Sequence, residues 1–402
     1  LLRVVKSSRK CMLVVLLIAV ISIVGACTSA PKENGQSGAR PAPAETTQPT
    51  AAPIPTPSPV PITSKITLTA VGDVLLHKAV YRDAAQGDGY NFDPMFDVVK
   101  PYLEKADITF ANSESIIAGK EIGISDYPMF GSPIEIGETL KSVGVDVVSM
   151  ANNHAMDKRE KGVRAAINNW KQIGVTYTGA YESQEDRDHI RVIEKNGVKV
   201  AFVSYTYGTN GIPIPEDKPY LVALLDKETM SKEIRKAKEL ADVVVVSCHF
   251  GVEYQLVPNE EQKDWATFAA NEGADIILGH HPHVLQPVDW ITRADGSKAF
   301  VIYSLGNFIA AQELQEPYRY IGGILNLEIE KVQLGDKVTI EVKNPSFMPT
   351  YIDHQKWGKY QIVPLSYVTE QKLPGIGKLK PAIEERMKQW MPELQIENPT
   401  KS

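Results

Sequence analysis

Short apolar runs, each closed by a cluster of small polar residues, recur along this chain and are separated by amphipathic segments. Residues 66–71, 107–111, 145–150, 198–205, 243–248, 275–278 and 300–303 are each rich in Val, Ile, Phe and Ala and of a length that predicts buried or half-buried strands. Between them, residues 96–105, 134–143, 160–173, 227–240 and 261–271 repeat apolar positions at helical spacing. Strand and helix patterns in alternation predict an α/β layered domain. Farther on, residues 323–331 and 337–343 alternate with period two around Gly335-Asp336, the pattern of a β-hairpin, and residues 378–390 predict an amphipathic helix packed on the body. No internal repeat is present.

The polar residues that end the runs carry the candidate chemistry. They are Gly72-Asp73, Asn112-Ser113-Glu114, Asn152-Asn153-His154 with Asp157, His249-Phe250-Gly251-Val252-Glu253, Gly279-His280-His281-Pro282-His283 and Ser304-Leu305-Gly306-Asn307. In open α/β sheets the ligand crevice lies beyond the carboxyl ends of the strands, so these distant positions are expected to converge there. Five of the eight histidines fall in these turns. His281 and His283 are two apart and, on an extended segment after a strand, would face one point; neutral imidazole is the commonest metal ligand. A surface histidine cluster or a helix cap is the alternative. Asp, Glu, Asn and three His form a mixed oxygen and nitrogen set suited to one or two divalent ions such as Mn, Zn or Fe. Two such ions about 3.5–4 Å apart can generate hydroxide near neutral pH and clamp a phosphoryl or acyl oxygen.

Composition changes the picture at the amino-terminal end. Arg3, Lys6, Arg9 and Lys10 precede an apolar run over residues 12–24, and Val24-Gly25-Ala26-Cys27 follows. This resembles a bacterial lipoprotein leader with its lipobox, in which Cys27 becomes the lipidated residue, and it implies the extracytoplasmic face of the cell membrane as the location. A plain cleaved leader or an uncleaved anchor are the alternatives. Residues 28–64 are Pro, Ala, Thr, Ser and Gly with few large apolar side chains, so they read as an extended tether. The expected organisation is therefore leader 1–27, tether 28–64, α/β body 65–355 and a helical carboxy-terminal extension 356–402.

The chain carries a net charge of −6, and its leader contributes four basic and no acidic residues, so the remainder stands at −10. With no strong basic run outside the leader, nucleic acid is not an expected partner, and a polyanion would have to be attracted locally, by bound cations for instance. Of three cysteines, Cys11 and Cys27 lie in the leader region, leaving Cys248 in the body. It ends a valine run and reads as a small buried strand residue, with a reactive thiol as the alternative. Ser247, Cys248 and His249 are adjacent on a strand and alternate in face, which makes a nucleophile–base pair among them poor. Glycine-rich nucleotide loops are absent.

Taken in order, Gly72-Asp73, Asn112-x-Glu114, Asn152-Asn153-His154, His249-x-Gly251-x-Glu253, His281-Pro282-His283 and Ser304-Leu305-Gly306-Asn307-Phe308 resemble the motifs of the CapA family over residues 65–311. These are poly-γ-glutamate capsule proteins, called PgsA in some bacteria, whose domain is similar to calcineurin-like metallophosphoesterases. The resemblance implies a four-layer α/β/β/α sandwich and attachment to the cell surface. It implies Asp73 and His283 as ligands of one metal, Asn153, His249 and His281 as ligands of a second, and Glu114 as the bridge. His154 would be the uncoordinated imidazole that protonates a leaving group or stabilises developing charge, and Asp157 would hold its ring, or else cap the helix before Glu160. Asn152, Glu253 and Asn307 would meet substrate, and His280 would point away. Two departures stand out. Metallophosphoesterases begin with an Asp-x-His pair, whereas Asp73 is followed by Val74-Leu75; His77, two residues on, either substitutes or is a surface histidine of a helix. The bridge is Glu where Asp is usual. These departures weigh on hydrolase activity more than on metal binding.

The expected function is accordingly a lipid-anchored surface protein acting in synthesis, export or anchoring of poly-γ-glutamate or a related anionic polymer, alongside membrane synthase subunits. A dinuclear metal-dependent phosphoesterase of the envelope and a non-catalytic scaffold of a polymer synthase are the alternatives.

Overall fold

A computed structural model of the chain describes residues 60–312 and 317–401. The expected leader with Cys27, and the tether up to residue 59, lie outside the described residues. Two β-sheets stack face to face. The first has the order Gly358–Pro364, Lys337–Gln355, Ile321–Leu334, Ile62–Val74, Ile108–Asn112, Val147–Ser149, Thr176–Thr178; Asn307–Ile309 also pairs with Ile62–Val74, and Gln395–Ile396 with Lys337–Gln355. The second has the order Leu285–Thr292, Lys298–Leu305, Ile276–His280, Val243–His249, Val198–Thr206, Arg191–Lys195. In each sheet the strands that carry the polar ends run parallel: Ile62–Val74 with Ile108–Asn112 and Val147–Ser149, and Val243–His249 with Ile276–His280 and Lys298–Leu305. Their carboxyl ends therefore fall on one edge of each sheet, as the site requires.

The period-two alternation explains why these runs are apolar throughout. In the second sheet Val200, Phe202, Val243, Val245, Ile276, Leu278, Phe300 and Ile302 join the core shared with the first sheet. Their neighbours Ala201, Val203, Val244, Val246, Ile277 and Val301 join a separate core with Ile234, Ala237, Ala266 and Ala270 of the helices Lys227–Leu240 and Glu260–Glu272. A sheet buried on both faces needs apolar residues at every position. Between the sheets Phe110 stacks on Phe202 with ring centroids 6.2 Å apart. The helices Glu135–Ser142 and Arg159–Ile173 cover the first sheet through Ile136, Leu140, Val163 and Trp170. The result is the four-layer α/β/β/α sandwich that the resemblance implied. Side-chain caps define three helix starts: Asp226 accepts the Thr229 N–H at 2.9 Å, Ser183 accepts the Asp186 N–H at 3.1 Å, and Asn259 with Gln262 forms a capping box.

The structure also departs from the periodic reading. Residues 96–105 are not one helix but two turns, Asp93–Phe96 and Lys100–Leu103, each with a proline near its start. Pro101 would sit inside the expected helix, where it lacks the N–H and clashes with the preceding turn. The first strand opens at Ile62, inside the expected tether. The segment after residue 356 adds a strand, Gly358–Pro364, to the edge of the first sheet before its helix, Ile376–Met387. Among the described residues no helix is long and apolar enough to cross a membrane.

Candidate functional site

Close approach of backbones brings the strand ends together. A β-carbon at Gly72 would collide with the carbonyl of Gly306, and one at Gly279 with the carbonyl of Tyr303, so glycine immediately before Asp73 and before His280 is a steric requirement. Past Gly279 the chain does not continue as an extended segment. His281 and His283 both have positive φ, 94° and 59°, conformations that cost non-glycine residues free energy and concentrate at functional sites. The bend still turns the two imidazoles toward one another, with centroids 5.9 Å apart.

Asp73, Glu114 and Asn153 from the first sheet meet His249, His281 and His283 from the second. Glu114 lies at the centre: its Oε1 is 3.7 Å from His249 Nε2 and 3.6 Å from His283 Nε2. Glu114, His249 and His281 offer ligand atoms that all lie within 4.8 Å of one another, as do Asp73, Glu114 and His283, and as do Glu253, His281 and His283. Asn153 directs Oδ1 to within 2.9 Å of His249 Nε2 while its NH2 donates to Asn210 Oδ1 at 3.3 Å. Asp73 accepts from Asn112 Nδ2 at 2.7 Å and from the His281 N–H at 3.4 Å. His283 Nδ1 is 3.2 Å from Asp73 Oδ2 and 3.0 Å from Asn307 Oδ1, which leaves Nε2 facing Glu114.

Burial sets the electrostatics. Glu114 is 0% exposed; desolvation, reinforced by Asp73 and opposed by His283, pushes its carboxyl well above the usual range. Desolvation acts against the charge on His283 as well, but Glu114 and Asp73 outweigh it and raise the imidazole to about 9. For Asp73 desolvation is likewise outweighed, here by the adjacent imidazoles of His280 and His283, and its carboxyl is held well below its ordinary value. His281 is driven down to about 3 by desolvation and by His283, and His249 is lowered by burial and by His281, so both are neutral and able to act as ligands. Neither oxygen of Glu114, nor Nδ1 of His249, nor Nδ1 of His281 has a hydrogen-bond partner. A buried carboxyl group without a hydrogen-bond partner, beside the neutral imidazoles of His249 and His281, is an oxygen and nitrogen donor set that a cation would satisfy in place of the acid proton, so the residues present fit divalent metal.

His154 stands beside this group. Its Nδ1 is 2.7 Å from Asp157 Oδ2, and the same oxygen accepts the Phe130 N–H at 2.6 Å. Asp157 therefore holds the ring with Nδ1 protonated and Nε2 available. Asp157 does not cap the following helix, whose Arg159–Ile173 span has no side-chain cap. Phe130 packs edge-on against His154 at 4.7 Å.

Other expected residues occupy different places. Asn152 donates to the Ser113 carbonyl at 2.8 Å, bracing the Glu114 turn. Both ends of the Asn307 amide are engaged, by His283 and by the Arg319 carbonyl at 2.8 Å, so it supports the site rather than facing an opening. Glu253 is exposed at the rim. His77 Nδ1 accepts the Ala311 N–H at 3.2 Å, and burial lowers the ring to about 4; it belongs to none of the ligand groups. His280 does not point away: its Nδ1 is 3.4 Å from Asp73 Oδ1 and its ring lies 6.0 Å from Phe110. Strand parity carries the signal for this, since His280 follows the inward-facing Leu278 by two residues. Tyr207 packs on His281 at 4.8 Å, and Asn210 lies 3.4 Å from His154 Nδ1; these loop residues had no periodic signal. Cys248 is fully buried and its thiol is raised to about 12 by desolvation, in keeping with a small buried strand residue.

A layered α/β domain with clustered carboxylates and imidazoles at its strand ends is the class that fold and site define. Residues 67–312 match the family model of the bacterial capsule synthesis protein PGA_cap, and the chain belongs to that family. It is 33% identical over 259 residues to the capsule biosynthesis protein CapA of Bacillus anthracis, covering 62% of this chain and 60% of that one. It is 30% identical over 257 residues to the PGA biosynthesis protein CapA of Bacillus subtilis (strain 168), covering 61% and 64%. The chain thus aligns with less than two thirds of the length of either relative. Among solved structures, a 5'-nucleotidase precursor from Thermus thermophilus aligns with a TM-score of 0.40 at 14% identity, covering 80% of this chain and 58% of that one.

Proposed function

We propose that this chain is a capsule-synthesis protein of the cell envelope whose strand-end site holds one or two divalent ions and acts on poly-γ-glutamate or a related anionic polymer. The observation that carries this reading is Glu114, fully buried, unpartnered at both oxygens and set between His249 and His283. Asp73, Glu114 and His283 would hold one ion; Glu114, Asn153, His249 and His281 would hold the other. Bound there, a divalent metal supplies Lewis-acid polarisation of a phosphoryl or acyl oxygen. The chain's own residues do the rest. His154, kept in one tautomer by Asp157, presents Nε2 to give or take a proton at the leaving group. Tyr207, 46% exposed, walls the site on the His281 side. Lipidation at Cys27 and the Pro-rich segment would hold the body at the outer face of the membrane, beside the subunits that make the polymer.

Metal analysis of the full chain after gentle purification tests this: one to two divalent ions per chain are expected, and less than one sinks the assignment. Replacement of Cys27 by Ser should release the protein from the membrane fraction. The His154–Asp157 pair also supports a second reading, hydrolysis of an envelope phosphoester. Turnover of a generic phosphoester that is lost in Asp73→Ala, Glu114→Ala and His154→Ala would favour it; equal turnover in His154→Ala would remove it.

A further inference from the structure

We propose that Arg319 is the anion-binding residue of this site, offering its guanidinium to a carboxylate or phosphate group of the ligand at the rim beside His283. The guanidinium carbon lies 3.7 Å from the centroid of the Tyr254 ring, and that ring lies 6.0 Å from the ring of His283. One phenol ring therefore separates Arg319 from a candidate metal ligand. The placement is built rather than incidental. Asn307 grips His283 Nδ1 with Oδ1 and the Arg319 carbonyl with Nδ2, so one side chain sets both the imidazole and the backbone of the arginine. Tyr254 is held in turn: its N–H donates to the Pro282 carbonyl at 2.8 Å, between the two histidines, and it adopts φ 66° to do so. Gln312 Nε2 reaches the Tyr254 hydroxyl at 3.4 Å.

The charge balance around Arg319 points to a ligand. Arg164, Arg187, Arg191 and Arg293 each pair with a carboxylate at 2.6–2.9 Å. Among the described residues Arg319 pairs with none, and its Nε is buried without a hydrogen-bond partner. Among the described residues, only Arg386, over the Tyr318 ring at 4.6 Å, is another part-buried arginine in that state. In a chain of net charge −6, a stacked, unpaired guanidinium next to a metal-ligand set is the exception to the field around it. Stacking on Tyr254 fixes the plane of the fork, and a planar fork fits a carboxylate or a phosphate through two parallel hydrogen bonds. Arg319 thus supplies from the protein the positive charge that selects an anionic ligand.

This inference rests on the reading that the ligand is anionic, and its test separates the two. The full chain, loaded with Mn and then metal-free, is titrated calorimetrically with inorganic phosphate and, separately, with a γ-linked glutamate oligomer. Wild type, Arg319→Ala and Arg319→Lys are compared, with metal content and melting temperature recorded for each. Arg319→Ala should weaken binding of at least one anion by roughly tenfold or more, the scale of a lost charge-assisted hydrogen bond, with metal content unchanged. Arg319→Lys, which keeps the charge but not the fork, should fall between. Preference for the oligomer assigns a carboxylate and preference for phosphate a phosphoryl group. Unchanged affinity in a folded, metal-replete Arg319→Ala protein overturns the proposal, as does absence of binding of either anion to wild type. Should wild type bind no metal yet bind anions in an Arg319-dependent way, the metal reading falls and the arginine assignment stands.

Discussion

The two ligand groups that share Glu114 differ in how far the protein itself meets their needs. On one side, Asp73 is surrounded by Asn112, the His281 N–H, His280 and His283, and His283 is braced by Asn307. On the other side, Nδ1 of His249 and Nδ1 of His281 have no partner, and both imidazoles are kept neutral by burial. A carboxylate already compensated by hydrogen bonds and by a raised imidazole gains less from a cation than an uncompensated cluster does. The departure noted at Leu75, where a histidine is usual, falls on the compensated side. We expect, on this ground, that the His249–His281 half would be the tighter cation site and the Asp73–His283 half the weaker.

The comparison breaks most sharply at Glu114, which belongs to both halves. Glu114→Gln should lower metal affinity by more than about 100-fold, beyond the upper range for outer partners of ligands, and leave the purified protein with essentially no ion. Full retention of metal in Glu114→Gln would refute a shared bridge. Next come the separate halves. His281→Ala should remove the tightly held ion, whereas Asp73→Asn should leave one ion bound and abolish only the weaker one. If Asp73→Asn empties the site and His281→Ala does not, the order of the halves is reversed. Smaller still, Asn307→Leu frees His283 and should weaken the Asp73-side ion by roughly 10–100-fold while sparing the other. Equal weakening of both ions would mean that Asn307 acts through the fold and not through His283.

The smallest effect is on stability against pH in the metal-free protein. His281, at about 3 in the fold against about 6.5 when unfolded, refuses a proton that the unfolded chain accepts, so stability falls as pH drops below about 6.5. His283, raised to about 9, has the opposite sign: its contribution is full below about 6.5 and is lost as pH rises through 9. Thermal melts of apo protein should therefore show a maximum near pH 6.5, and His281→Gln should flatten the acid limb. An acid limb unchanged in His281→Gln would assign it to other groups.

Much of this was legible locally. The helix Lys227–Leu240 and the hairpin turn at Gly335-Asp336 follow from spacing, capping and turn residues within one stretch of chain. The convergence of Asp73, Glu114, Asn153, His249, His281 and His283 follows from one rule, that parallel strands deliver their carboxyl ends to a common edge. What stayed hidden depended on packing between distant segments. The edge strand Gly358–Pro364 forms because the Lys337–Gln355 strand offers it a ladder, whereas the break at Pro101 is a local signal that apolar spacing alone overrode.

The sequence by itself therefore determined the alternation of strands and helices and the order of the strands' polar ends, because each depends on short-range periodicity, while the four layers and the ligand set were implied by the resemblance to a family. Only the tertiary structure decided that His77 is spent on the Ala311 N–H and that Asn152 and Asn307 brace the site. It alone brought Tyr254 and Arg319 to the rim. The reason is physical: which partner satisfies a buried polar group depends on what the other sheet and the loops place opposite it, and spacing along the chain does not encode that.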